Sequence, residues 1–184
     1  CSGVVWDAGR LIALDRDGSQ LFRFDDGTDP ERIRVRSGLG VQPRLLGMIG
    51  ESAIVSSFPR MPDRSVPSMI HAVGQTGAVE KLLGDAKGFV GSSGLIAASG
   101  DRVAFASSQS SGACYSTSRV GLVERKGRRL AVRFPGMPLG DEMQSIRSVQ
   151  MDAAGDVYAS IAPSGCPDGV PQQVPQESSR YRLD

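Results

Sequence analysis

One pattern occurs four times along this chain of 184 residues: an apolar strand, a tight turn that contains glycine, and a second apolar strand. The turn glycines lie 41, 50 and 55 residues apart, at Gly9, Gly50, Gly100 and Gly155. Repetition at this spacing is typical of repeat architectures, in which each unit is one supersecondary element that packs against its neighbours. The repeat therefore constrains the fold more than any other feature of the sequence.

The units continue with a third strand and usually a fourth. In the first unit, residues 32–36 alternate strictly between arginine and an apolar residue, which is typical of a strand with one buried and one wet face. No stretch has a helical period together with helix caps. We therefore predict an all-β protein of four-stranded antiparallel units, spanning approximately residues 1–40, 41–88, 89–138 and 139–184.

Four strands in roughly 40–50 residues is the size of one blade of a β-propeller. The chain contains about four such blades, whereas propellers usually have more, and the fourth unit stops after its third strand at Asp184. We expect part of a larger propeller. The alternatives are two copies that join into one ring, and a closed ring of four blades. Trp6 is predicted to pack between blades.

The fourth unit carries a recognisable set of motifs. It has Asp152-x-x-Gly155, then Val157-Tyr158, then Arg180-x-x-Leu183-Asp184. It resembles blades of the NHL-like and sugar-lactonase-like propellers, and Leu14–Gly18 and Phe22–Asp25 of the first unit look similar. The resemblance implies an architecture and no activity. The lactonase-like propellers hold a metal with carboxylate and asparagine ligands, and this chain has no asparagine. No catalytic residue or metal ligand is therefore carried over.

Charge and hydropathy exclude several partners. The formal net charge is +1, which gives no overall attraction to nucleic acid. No run approaches the roughly 18 apolar residues of a membrane span. The basic cluster at residues 125–129 falls on a predicted hairpin tip, where charges are solvated, and an anionic partner is the alternative. We predict neither nucleic-acid binding nor a membrane span.

Few residues suggest catalysis. The single histidine, His71, lies in an apolar strand without a Gly-x-Ser-x-Gly nucleophile turn, and the cysteines lack zinc-site spacing. Asp15 and Asp17 lack the ligand spacing of a calcium loop, so they indicate a turn. We predict no catalytic residue, metal or cofactor. An enzyme of the propeller hydrolase, lactonase or lyase kind, with its site in the central channel, remains the alternative.

The link between second and third strands is expanded in three units, over residues 58–67, 107–118 and 163–176. Insertions at one phase of a repeat map to one face, which is often the binding face. Arginine and tyrosine dominate interface hot spots, so Arg60, Arg64 and Tyr115 are the candidate ligand-binding residues. The sequence favours a non-enzymatic scaffold that binds a protein or polymer ligand.

The cysteines bear on the compartment. Cys114 and Cys166 lie in equivalent expanded links of neighbouring units, where a disulfide is possible if their Cα atoms come within about 7 Å. A disulfide would indicate an oxidising compartment. The opening Cys1-Ser2-Gly3 resembles a mature bacterial lipoprotein with a lipid on Cys1, and a fragment boundary is the alternative. We expect an extracytoplasmic protein, periplasmic or at the bacterial cell surface.

Overall fold

The computed structural model describes residues 1–36, 38–58, 69–84, 92–110, 116–138, 144–163 and 179–184. All regular structure in these ranges is β-strand. The strands are β1 (Val4–Asp7), β2 (Arg10–Leu14), β3 (Gln20–Phe24), β4 (Glu31–Arg34), β5 (Val41–Ile49), β6 (Ser52–Phe58), β7 (Met69–Val73), β8 (Val79–Leu83), β9 (Ser92–Ser99), β10 (Arg102–Ser110), β11 (Ser116–Lys126), β12 (Arg129–Arg133), β13 (Gln144–Met151), β14 (Val157–Pro163) and β15 (Ser179–Leu183). Within these ranges no helix is long and apolar enough to cross a membrane.

The strands form four antiparallel sheets, each built from consecutive strands. The first three sheets contain β1–β4, β5–β8 and β9–β12, and the fourth contains β13–β15. The predicted all-β class and the fourfold repetition of antiparallel sheets are confirmed. The four turn glycines found in the sequence join the first and second strand of each sheet, and all have a positive φ that glycine tolerates without strain.

The sheets stack face to face in chain order. The first strand of each sheet contacts the first strand of the next, so β1 meets β5, β5 meets β9 and β9 meets β13. Among the strands given above, none of the first sheet makes an extensive contact with one of the fourth. The stack is therefore open.

Three apolar cores lie between the four sheets. Alternate residues of one strand serve two cores: Ala53 and Val55 point towards the first sheet, and Ile54 between them points towards the third. In the third sheet, Phe105 faces the second sheet, whereas Ala104 faces the fourth. The two central sheets are thus buried on both faces, which explains their nearly continuous apolar strands.

Candidate functional site

One face of the first sheet is apolar and exposed. The pairing of β1 with β2 places Val4 beside Ala13 and Trp6 beside Leu11. The pairing of β2 with β3 places Ala13 beside Phe22 and Leu11 beside Phe24. We call this surface the outer apolar face; it consists of Val4, Trp6, Leu11, Ala13, Phe22 and Phe24. Trp6 is 67% exposed and Val4 is 52% exposed. The prediction that Trp6 packs between blades is wrong within this chain, because β1 directs Trp6 away from the second sheet.

The same face becomes basic at its outer strand. Arg32 pairs in register with Phe22, and Arg34 pairs with Gln20. The guanidinium carbon of Arg32 lies 6.0 Å from the centre of the Phe22 ring. A depression of about 420 Å³ is lined by these two arginines together with Ser19 and Gln20. The face therefore combines an apolar area with a basic margin.

The outer face of the fourth sheet, at the other end of the stack, is polar. The strand register places Tyr158 of β14 between Gln150 of β13 and Arg182 of β15. It also places Ser160 of β14 beside Arg180 of β15. The guanidinium carbon of Arg180 lies 4.4 Å from the centre of the Tyr158 ring. The Tyr158 hydroxyl in turn donates a 3.3 Å hydrogen bond to the Asp152 carboxylate. The two ends of the stack thus present different chemistry.

A charged cleft of about 440 Å³ opens between the third and fourth sheets. We call it the arginine cleft; its lining residues are Ser99, Gly100, Asp101, Arg102, Glu124, Arg125, Ala153, Ala154 and Gly155. Arg102 Nη1 donates a 3.0 Å hydrogen bond to the carbonyl oxygen of Gly155. Arg125 Nε lies 3.5 Å from the Asp101 carboxylate, and Arg125 Nη2 donates to the carbonyl oxygen of Ile49. These bonds position both guanidinium groups.

Glu124 is the most enclosed acid of this cleft, with a side chain only 12% exposed. Arg133 Nε lies 3.0 Å from its carboxylate, Arg102 Nε lies 3.8 Å away and Lys126 Nζ lies 3.9 Å away. Three cations compensate the loss of water around one carboxylate. The cleft consequently offers paired charges and hydrogen-bonding groups, which suit the binding of a polar ligand.

An equivalent arginine lies between the first and second sheets. Arg23 is 5% exposed, and its guanidinium is 3.7 Å from the carboxylates of both Glu31 and Glu51. It also donates a 3.3 Å hydrogen bond to the Glu51 carbonyl oxygen. Sequence reasoning missed these arginines. The sequence did contain a signal for one of them, because Arg102 lies two residues after the turn glycine Gly100.

The predicted ligand-binding residues Arg60, Arg64 and Tyr115 lie outside the described residues. The predicted disulfide partners, Cys114 and Cys166, lie outside them as well.

Cys1 is described and exposed, and its thiol donates a 3.1 Å hydrogen bond to the Gly3 carbonyl oxygen. The thiol is thus at the surface.

His71 is buried, as predicted for a packed strand residue. It is 1% exposed and faces the first sheet, in register with Val55 of β6. Neither ring nitrogen has a hydrogen-bond partner. Burial, with a smaller effect from the Lys81 charge, lowers the pKa of His71. The ring is therefore neutral and out of reach of a ligand at the surface.

Asp15 and Asp17, which were predicted to lie in a turn, stabilise that turn with hydrogen bonds. Asp15 accepts from the Ser19 hydroxyl at 2.7 Å and from the Gln20 amide at 3.0 Å, and Asp17 accepts from the Ser19 amide at 3.1 Å. Hydrogen bonds from Ser19 lower the pKa of Asp17. In the described part of the chain, no group of three or more histidine, cysteine, aspartate or glutamate side chains could hold a metal ion.

No model of a known protein family matches this chain, and no curated protein matches it. The likeness to NHL-like and sugar-lactonase-like propellers therefore rests on the motifs of the first and fourth units.

Proposed function

We propose that the four sheets are consecutive blades of a β-propeller, and that the chain is a non-enzymatic scaffold for a protein or polymer ligand. The observation that carries this proposal is the exposed outer apolar face on a stack whose other apolar faces are buried. Contiguous exposed apolar surface rimmed by polar residues marks an interaction site. A sheet that packs against a further blade accounts for such a face, so this observation supports the arrangement of consecutive blades.

The outer apolar face has the composition of a surface between blades. Each apolar face inside the stack is covered by the next sheet. Burial of apolar surface contributes about 25 cal/mol per Å² to the free energy that stabilises the packed sheets. The fourth sheet of this chain is a poor cover, because Arg180 and Arg182 would approach Arg32 and Arg34, and like charges repel. We therefore propose that a further blade of different sequence covers this face.

The ligand is assigned to the end of the sheets that carries the expanded links. This assignment is supported by the length of the hairpin formed by β10 and β11. The two strands remain paired as far as Ser110 and Ser116, and they are the longest second and third strands among the four sheets. The hairpin extends the scaffold in the direction of those links. Arg60, Arg64 and Tyr115 are proposed to contact the ligand, with the arginine cleft as a second polar surface at the opposite end.

An exported location is part of the proposal. Ser2 is joined to the stack, because its amide donates to the Leu14 carbonyl at 2.8 Å and its carbonyl accepts from the Leu45 amide at 3.0 Å. A lipid on the exposed Cys1 would hold the first two sheets directly at a membrane surface. Mass spectrometry of the protein from its native membrane fraction tests this, since an unmodified Cys1 would contradict a lipid anchor.

The enzyme alternative is tested by metal analysis together with activity assays. We expect no stoichiometric calcium in the protein purified without chelators, and no hydrolysis of a panel of lactones. Tightly held calcium with lactone turnover would overturn the scaffold proposal. For binding, a ligand captured by the wild-type chain should bind more than about tenfold more weakly, or about 1.4 kcal/mol, to the Arg60→Ala, Arg64→Ala, Tyr115→Ala variant.

A further inference from the structure

The two arginines of the arginine cleft keep hydrogen-bond donors that their contacts within the protein do not use. A guanidinium group carries five N–H donors. Arg102 uses Nη1 for the Gly155 carbonyl oxygen, and its Nε lies 3.8 Å from Glu124, beyond hydrogen-bond distance. Arg125 donates through Nη2 to a carbonyl oxygen of the second sheet at 3.4 Å, and its Nε lies 3.5 Å from Asp101. The donors that remain line one cavity and can reach a ligand there.

The walls of the cleft are held in place by the protein itself. Asp152 accepts hydrogen bonds from the Ala154 amide at 3.0 Å and from the Asp156 amide at 2.9 Å, which fixes the turn that forms one wall. On the other side, Arg125 packs closely over Gly50, where a Cβ would lie 2.8 Å from Arg125 Nη2. Groups that are already positioned lose less conformational entropy when a ligand binds.

The hairpin end of the third sheet carries an excess of positive charge. Among the described residues of this end, the carboxylates are Asp101 and Glu124, and the cations are Arg102, Arg125, Lys126, Arg128, Arg129 and Arg133. Glu124 is compensated by Arg133, whose Nε lies 3.0 Å from the carboxylate. The remaining excess favours an anion in the cleft. A phosphate monoester, with a charge of about −1.5 to −2 at pH 7, gains more from it than a carboxylate with a single charge.

The size and lining of the cleft indicate what accompanies the anion. Its volume of about 440 Å³ is in the range of small-molecule sites. None of the described residues that line it is aromatic, so a flat ring has no surface on which to stack. The Ser99 hydroxyl and the Asp101 carboxylate can bond to hydroxyl groups, and Ala153 and Ala154 leave space beside them. This lining suits a body that carries hydroxyl groups.

We propose that the arginine cleft binds a small sugar phosphate. The phosphate accepts hydrogen bonds from Arg102 and Arg125, whose planar groups suit phosphate oxygens. The sugar lies beside Ala153 and Ala154, with its hydroxyl groups near Ser99 and Asp101. The site lies at the opposite end of the sheets from the expanded links, so a failure of ligand binding there leaves this inference standing.

Calorimetric titration of the full chain tests the site. We expect one molecule of glucose 6-phosphate to bind per chain, at least about tenfold more tightly than glucose, inorganic phosphate or glucuronate. Glucuronate carries a carboxylate where glucose 6-phosphate carries its phosphate. The Arg102→Gln, Arg125→Gln variant should bind glucose 6-phosphate at least about tenfold more weakly. The matched control, Arg32→Gln, Arg34→Gln, removes the same charge from the first sheet and should keep the wild-type affinity.

A second pair of variants does not depend on the stability of the arginine variant. Asp101 is 74% exposed and competes with the ligand for Arg125. Asp101→Asn should therefore bind glucose 6-phosphate about threefold more tightly. Asp26→Asn removes the same charge from an exposed turn of the first sheet and should leave the affinity unchanged.

Four results would overturn the proposal. The first is the absence of saturable binding of glucose 6-phosphate up to about 10 mM. The second is equal affinity for inorganic phosphate, which would remove the role of the sugar, and the third is equal affinity for glucuronate, which would remove that of the phosphate. The fourth is an equal effect of a cleft variant and its matched control, which would show attraction to net charge alone. Thermal unfolding establishes that each variant is folded.

Discussion

Arg102 of the third sheet donates a 3.0 Å hydrogen bond to the carbonyl oxygen of Gly155, in the first turn of the fourth sheet. Arg125 contacts the Ile49 carbonyl of the second sheet in the same way, and Arg23 of the first sheet contacts the Glu51 carbonyl of the second. Every boundary between sheets thus has an arginine that satisfies a backbone carbonyl across it. A hydrogen bond from a charged donor contributes about 1.5–3 kcal/mol when well formed.

Replacement of Arg102 should loosen the contact between the third and fourth sheets. Because Arg102 is 40% exposed, we expect Arg102→Met to lower the free energy of unfolding by about 1–2 kcal/mol in urea titrations. Arg10→Met is the control: Arg10 pairs with Asp25 inside one sheet, half exposed, and its loss should cost less than about 0.5 kcal/mol. Equal costs for the two variants would contradict a special role of the boundary arginines.

Replacement of His71 should stabilise the protein. Both ring nitrogens are buried without partners, and an unsatisfied buried polar group costs about 1–3 kcal/mol. His71→Leu keeps a similar volume and removes these groups. We expect the free energy of unfolding to rise by about 1–2 kcal/mol at neutral pH, measured by urea titration. A loss of stability would show that the imidazole is satisfied in solution.

The same histidine should make stability depend on pH. Burial lowers its pKa in the folded protein below the ordinary value of 6.5, so the unfolded chain takes up a proton first as the pH falls. Stability is complete above pH 6.5 and is lost as the pH falls through the lowered pKa of the folded state. The advantage of His71→Leu over the wild type should therefore widen towards acid pH. Parallel curves for the two proteins would refute this.

Gly121 should tolerate no side chain. It pairs in register with Phe105, and a Cβ at this position would lie 2.2 Å from the ring atom Cζ. We expect Gly121→Ala to lower the free energy of unfolding by about 1–3 kcal/mol, because the buried ring must move. Gly136→Ala, in open space, is the control. Phe105→Leu combined with Gly121→Ala should cost less than the sum of the single variants in a double-mutant cycle.

The single tryptophan reports on the outer apolar face. We expect Trp6 fluorescence to be typical of a water-exposed indole and to be quenched readily by acrylamide, since the side chain is 67% exposed. Trp6→Ser should change the free energy of unfolding by less than about 0.5 kcal/mol. It should also reduce self-association of the chain in light scattering at rising concentration. Strong protection of Trp6 from quenching in the isolated monomer would contradict an uncovered face.

Much of the fold could be predicted from local patterns. The turn glycines mark the first hairpin of each sheet, and the alternation at residues 32–36 correctly separates buried Ile33 and Val35 from the exposed arginines. Both signals act within a few residues: side chains alternate between the two faces of a strand, and glycine tolerates a positive φ. The same reasoning placed His71 in the core and Asp15 in a turn.

The sequence by itself thus determined an all-β chain of repeated hairpins with the correct strand faces. Only the tertiary structure decided which faces meet. It exposed Trp6, which an apolar strand pattern could not distinguish from a buried residue, and it brought Arg102 to Gly155 across 53 positions of the chain. The physical reason is that the order and register of stacked sheets depend on contacts between residues far apart in sequence, which no local period encodes.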